Sequence, residues 1–102
     1  MNINIDPEVE KFIASLERPA IAKTLRTLDL LEKFEHKLGM PHSKKVKDGL
    51  FELRVRGRQE VRIFYCFSKG MIYLLSGFIK KSQSIPTKEL LKASNKYRAL
   101  TS

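Results

Sequence analysis

In the first part of the chain the apolar positions recur every three or four residues; from Phe51 to the end of the 71–79 segment they recur every two. Val9, Phe12, Ile13 and Leu16 follow an i, i+3, i+4, i+7 spacing, with Glu8, Glu10 and Lys11 between them. That pattern predicts a short helix with one buried stripe. Asp6 or the residue before it can cap this helix, and Pro7 suits its first turn. Pro19 restarts a second helix, with Ile21, Leu25, Leu28, Leu31 and Phe34 on its inner side. It runs to about Leu38, where Gly39 and Pro41 stop it. Two helices joined so closely form an αα-hairpin. The following MPHSKKVKDG, residues 40–49, reads as a polar, basic connection.

Phe51, Leu53 and Val55 then alternate with Glu52, Arg54 and Arg56, as expected of a half-buried strand. Gly57 to Glu60 turn the chain. Val61 to Phe67 is a second strand, Ser68-Lys69-Gly70 a second turn, and MIYLLSGFI (71–79) a third strand. The third strand is apolar on both faces at its start, which places it inside the sheet. Pro86 can open a closing helix whose apolar stripe is Leu90, Ala93, Tyr97 and Leu100. The expected architecture is α+β: a helical hairpin, an antiparallel sheet of three to four strands and a C-terminal helix. The fourth strand would be the short segment Asn2 to Ile5, and the helices would lie on one side of the sheet.

Pairing position i with 118−i seals one face of the first hairpin. Val55 then meets Ile63, Leu53 meets Tyr65 and Phe51 meets Phe67. On the other face Arg56 meets Arg62, Arg54 meets Phe64 and Glu52 meets Cys66. A slip of one residue would carry every charge into the core, at a cost of several kcal/mol per unpaired ion. Two arginines placed opposite each other destabilise a sheet by about a few tenths of a kcal/mol. A face that tolerates this is either a solvated outer surface or a surface that receives an anion.

Charge favours the anion. The 102-residue chain carries 20 Lys+Arg against 11 Asp+Glu, a net +9. Residues 1–34 hold five basic and six acidic side chains, and residues 35–102 hold fifteen and five. An excess so localised points to a polyanionic or acidic partner. With 42% hydrophobic residues the composition is that of a folded domain. A single cysteine, Cys66, allows no internal disulfide; its aromatic neighbours suggest an inert strand position, and the cytoplasm is the simplest compartment. No signal peptide is evident, and MIYLL, the longest apolar run, is far short of the ~20 residues of a membrane span. No metal-ligand spacing occurs and no cofactor is indicated. His36 and His42 stand alone in polar surroundings.

GLFELRVRGRQEVRIFYCF followed by LLSGFIKKSQSIPTKEL resembles the RelE/ParE toxin superfamily, specifically its phage-derived HigB-like branch. The resemblance covers residues 49 to about 97. It implies a RelE-like fold and a type II toxin–antitoxin system. The toxin would be a ribosome-dependent mRNA endoribonuclease, silenced by a cognate helix-turn-helix antitoxin. Position by position, it implies that Arg54 and Arg56 line an RNA cleft, that Arg62 contacts the scissile phosphate, and that Lys80 and Lys81 form the basic pair after the last strand. No tyrosine occurs in SQSIPTKELL where RelE-type toxins carry one, and Glu52 stands where RelE proper has a lysine.

The expected catalytic set is therefore Arg62, Arg54, Arg56, Lys81 and Glu52. RNA would be held by Lys44, Lys45, Lys47 and Lys80, with Phe64 and Phe78 exposed to stack bases. Partners would be the antitoxin, the ribosome and mRNA, with no membrane. Other readings are a ParE-like DNA gyrase inhibitor and a non-catalytic RNA-binding regulator of the same fold. Tyr65 and Tyr73 are expected in the core.

Overall fold

A computed structural model describes the whole chain, Met1 to Ser102. Strand β1 (Asn2–Ile5) precedes α1 (Pro7–Ala14) and α2 (Arg18–Phe34). The Asp6 carboxylate accepts from the Glu8 N–H at 2.9 Å, satisfying one of the first-turn donors that a helix leaves free. The second helix stops at Phe34, and Glu35–Lys37 form a 3-10 turn before the expected end at Leu38. Glu35 takes a positive φ of 53°, which breaks the helical run.

Four strands follow: β2 (Ser43–Lys47), β3 (Leu50–Val55), β4 (Val61–Ser68) and β5 (Met71–Ile79), and then α3 (Thr87–Thr101). The sheet has five strands in the order β1-β5-β4-β3-β2. Two features depart from the expected sheet. The 40–49 connection contains an edge strand, and β1 joins β5 in parallel, so the sheet is mixed. As expected, β5 lies inside it, between β1 and β4.

The β3–β4 register also differs. Position i pairs with 116−i, so Val55 meets Val61, Leu53 meets Ile63 and Phe51 meets Tyr65. A shift of two residues keeps every side chain on its expected face. It pairs Val61, which is fully buried, with Val55 instead of with Gly57. The directly opposed arginines become Arg54 and Arg62.

One sheet face carries Leu53, Val55, Val61, Ile63, Tyr65, Ile72 and Leu74 and packs against Val9, Ile13, Leu16, Ala20, Leu28 and Leu31 of the N-terminal helices. Leu25 and Phe34, expected on the inner side of α2, are half-exposed at 51% and 44%. The buried stripe runs instead through Ala20, Thr24, Thr27, Leu28 and Leu31. Gly77 is required by this packing, because a Cβ there would lie 2.6 Å from the Phe12 ring.

The other sheet face is not left open. Leu50, Phe64, Cys66, Leu75 and Phe78 form a second core with Ala93 of α3. Helices thus cover both faces, not one. Phe64 and Phe78 face each other with ring centroids 5.5 Å apart, buried and unable to stack on a base. Ion pairs from Lys96 to Asp6 (3.0 Å) and from Lys92 to Glu8 (3.1 Å) tie α3 to the start of α1. No helix is long and apolar enough to cross a membrane.

Candidate active site

The polar end of the second face is built by cross-strand rows. Lys44, Glu52, Phe64 and Ser76 form one row, and Arg54, Arg62 and Phe78 the next. Lys80 follows opposite Glu60, its N–H donating to the Glu60 carbonyl at 2.8 Å. Where α3 ceases to cover the sheet, a cavity of about 210 Å³ opens. It is lined by Lys44, Lys45, Glu52, Arg54, Lys80 and Gln83, among others.

The charged groups here are held tightly. Glu52 is only 4% exposed, with Oε1 3.6 Å from Arg54 Nε. Arg62 is 2% exposed; its Nη1 donates to the Val61 carbonyl at 2.9 Å and its Nη2 to Glu60 Oε1 at 3.1 Å. Glu60 also accepts from the Gly57 N–H at 3.0 Å. That N–H, with Arg62 and Arg56 nearby, holds the Glu60 carboxyl below the usual carboxylate range. Of five buried side-chain polar atoms without a hydrogen-bond partner, three lie here, Arg54 Nε, Arg62 Nε and Glu52 Oε2; the other two, on Thr24 and Ser94, are elsewhere. Buried polar atoms are nearly always paired. Three unpaired ones on adjacent residues mark a place where donors and an acceptor are held ready.

Tyr65 is core, as expected, its hydroxyl bonded to Ser43 Oγ and burial pushing its ionisation up. Cys66 is buried too, and its thiol is pushed up to about 11 by desolvation, consistent with an inert strand residue. Of the expected site residues, Arg54, Glu52, Lys44, Lys45 and Lys80 line one cavity. Lys81 lines an adjoining depression with Glu60 and Lys80. Lys47 is exposed on β2, outside that cavity. Arg56 does not join the set: beyond the end of β3, it is exposed and faces the α2 side with Lys23 and Arg26. Phe64 and Phe78 are lost to the core. Gln83 and the carboxylate of Glu60 escaped the sequence reading. Glu60 sits at the end of the turn, two residues before Arg62, and its side chain folds onto that guanidinium.

The fold is similar to that of a chain in the crystal structure of the heterotetrameric YoeB–YefM toxin–antitoxin complex from Staphylococcus aureus. The TM-score is 0.54 at 19% identity, over 72% of this chain and 90% of that one. Among curated proteins, "Putative toxin HigB3" of Mycobacterium tuberculosis (strain ATCC 25618 / H37Rv) is 36% identical over 83 residues, spanning 76% of this chain and 72% of the relative. Sheet, helices and relatives together define the class, which is that of the RelE-like toxins of toxin–antitoxin systems. Within it, the chain belongs to the family of phage-derived Gp49-like proteins, whose family model matches residues 11–98.

Proposed function

We propose that this toxin is a ribosome-dependent mRNA endoribonuclease, and that the cavity between β2, β3 and the Lys80 segment receives the scissile phosphate. Metal-free RNA cleavage requires that the 2′-hydroxyl lose a proton, that charge on the phosphorane be neutralised and that the 5′-oxygen gain a proton. The observation that carries this reading is the set of unpaired buried atoms on Arg54, Arg62 and Glu52, beside a cavity rimmed by Lys44, Lys45 and Lys80. Arg54 lines the cavity and supplies the first guanidinium contact, since its planar fork suits phosphate oxygens and stays charged. Arg62, directly across the strand pair, reinforces the positive field from behind. Glu52, the one carboxylate lining the cavity, is the candidate proton acceptor.

Loss of a well-placed cationic donor costs about 10²–10³-fold in such chemistry. Primer extension on mRNA bound to translating ribosomes tests the reading with wild type, Arg54→Ala and Arg62→Ala. Cut mRNA with wild type and a loss of that size in each variant is expected. Intact mRNA with wild type, or undiminished cutting by Arg54→Ala, refutes it; inhibition of DNA supercoiling without RNA cleavage would instead indicate gyrase as the target. An antitoxin is expected to mask the basic surface with an acidic or helical element. Charge reversal at Lys44 and Lys45 should then abolish copurification of the pair.

A further inference from the structure

We propose that a second phosphate-binding groove, between α2 and the end of β3, carries the RNA strand onward from the reacting phosphate. The inference rests on the endoribonuclease reading for its ligand and on separate residues for its geometry. A cavity of about 260 Å³ lies beside the candidate active site, and Lys23, Arg26, His42, Arg54 and Arg56 contribute to its walls. No carboxylate lines it. Arg54 also lines the active-site cavity, so a single guanidinium is the partition between the two.

The groove differs from the site in how its charges are balanced. Arg54 and Arg62 each have a carboxylate neighbour, whereas Lys23, Arg26 and Arg56 make no ion pair within the chain. All three are exposed. The turn makes room for one of them: the Lys23 ammonium lies 3.0 Å from where a Cβ on Gly57 would be, so it rests over bare backbone. Lys23 and Arg26, with Arg56 shared toward Glu60, converge on the groove and repel one another, and a bound anion removes that repulsion.

A nucleic-acid strand fits better than an acidic protein. The groove offers no large exposed apolar anchor: Val55 is buried, Leu30 is only partly exposed, and the small ring of Pro41 is its one exposed apolar group. Protein interfaces rely on such anchors at their centres. Single-stranded RNA needs only a cationic path that follows its backbone. Continuity through Arg54 aligns that path with the reacting phosphate, so Lys23, Arg26 and Arg56 would hold the neighbouring phosphates of the same strand.

The test uses fluorescently labelled oligouridylates of increasing length, titrated with full-length wild type, Lys23→Ala/Arg26→Ala and Arg54→Ala at several salt concentrations. The double variant removes two exposed, unpaired side chains and should keep the wild-type circular dichroism. Wild type should gain affinity as the oligomer lengthens enough to fill both cavities. The double variant should lose that gain, about tenfold, and its salt slope should fall by about 1.4, from two phosphate contacts on a single strand. Equal affinity and equal slope for wild type and double variant overturn the groove, even if ribosomal mRNA is still cut. A variant that binds RNA normally yet fails to copurify with the antitoxin also overturns it, assigning the surface to protein. Conversely, length-dependent binding with no cleavage on ribosomes would overturn the endoribonuclease reading and leave the groove standing.

Discussion

Glu52 and Arg62 show how much one side chain's surroundings decide. Both were legible as members of the charged face, because parity along a strand fixes the face whatever the register. What each is bonded to was not legible. Arg62 bonds Glu60 two residues back along its own chain, where the turn passes into β4, and Glu52 sits beside Arg54 along the same strand face. With two of its nitrogens already bonded, Arg62 is ordered before any substrate arrives. Arg62→Lys should therefore lose activity nearly as fully as Arg62→Ala, since an ammonium cannot reproduce the fork. Glu52→Gln separates two roles. If Glu52 accepts the proton, cleavage on ribosomes should fall by about 10²-fold or more with thermal stability little changed. Unchanged cleavage would make Glu52 a structural partner of Arg54.

Among the elements, the helices and the three central strands follow directly from their apolar periods, and β2 does not. SKKVK carries one strongly apolar residue, so its pairing comes from the backbone edge that β3 offers and not from its own pattern. The covering of the second face by α3 was signalled by MIYLL, whose apolar residues fill both sides of β5. That signal is incomplete without knowing which side α3 takes. Glycines reveal how tightly these elements fit. Gly77→Ala should drive a methyl into Phe12, and Gly49→Ala would meet Tyr97 at a φ of +78° that suits glycine. Each should cost about 1–3 kcal/mol, read as a lowered midpoint in urea unfolding with an unchanged slope. Gly70→Ala has open space around it, so only its φ of +76° penalises the change, and it should cost less.

For the molecule as a whole, pH and charge set the limits. Glu8 and Glu60 ionise more readily folded than unfolded, through Lys92 and Lys96 for the first and chiefly the Gly57 N–H for the second. Their stabilisation is complete above the ordinary glutamate value near 4.5 and is lost as pH falls through the lower folded values. At the alkaline end the sign reverses. Cys66 is raised from 9.0 to about 11, so the unfolded thiol ionises first and stability falls across that interval. Chemical denaturation at pH 8 and pH 10.5 should show the fall, and Cys66→Ala should remove part of it while Tyr65 retains the rest. The +9 excess was visible from the sequence, whereas its division between a counter-ion-bearing site and a bare groove needed the fold. One of the two outermost strands, β2, bears Lys44, Lys45 and Lys47, and an unpaired strand margin is where a second chain could add itself. Mutual repulsion at those lysines therefore guards the molecule against self-association while it offers them to phosphate. Neutralising them should cost colloidal stability together with RNA affinity, and swapping them for arginine should preserve both.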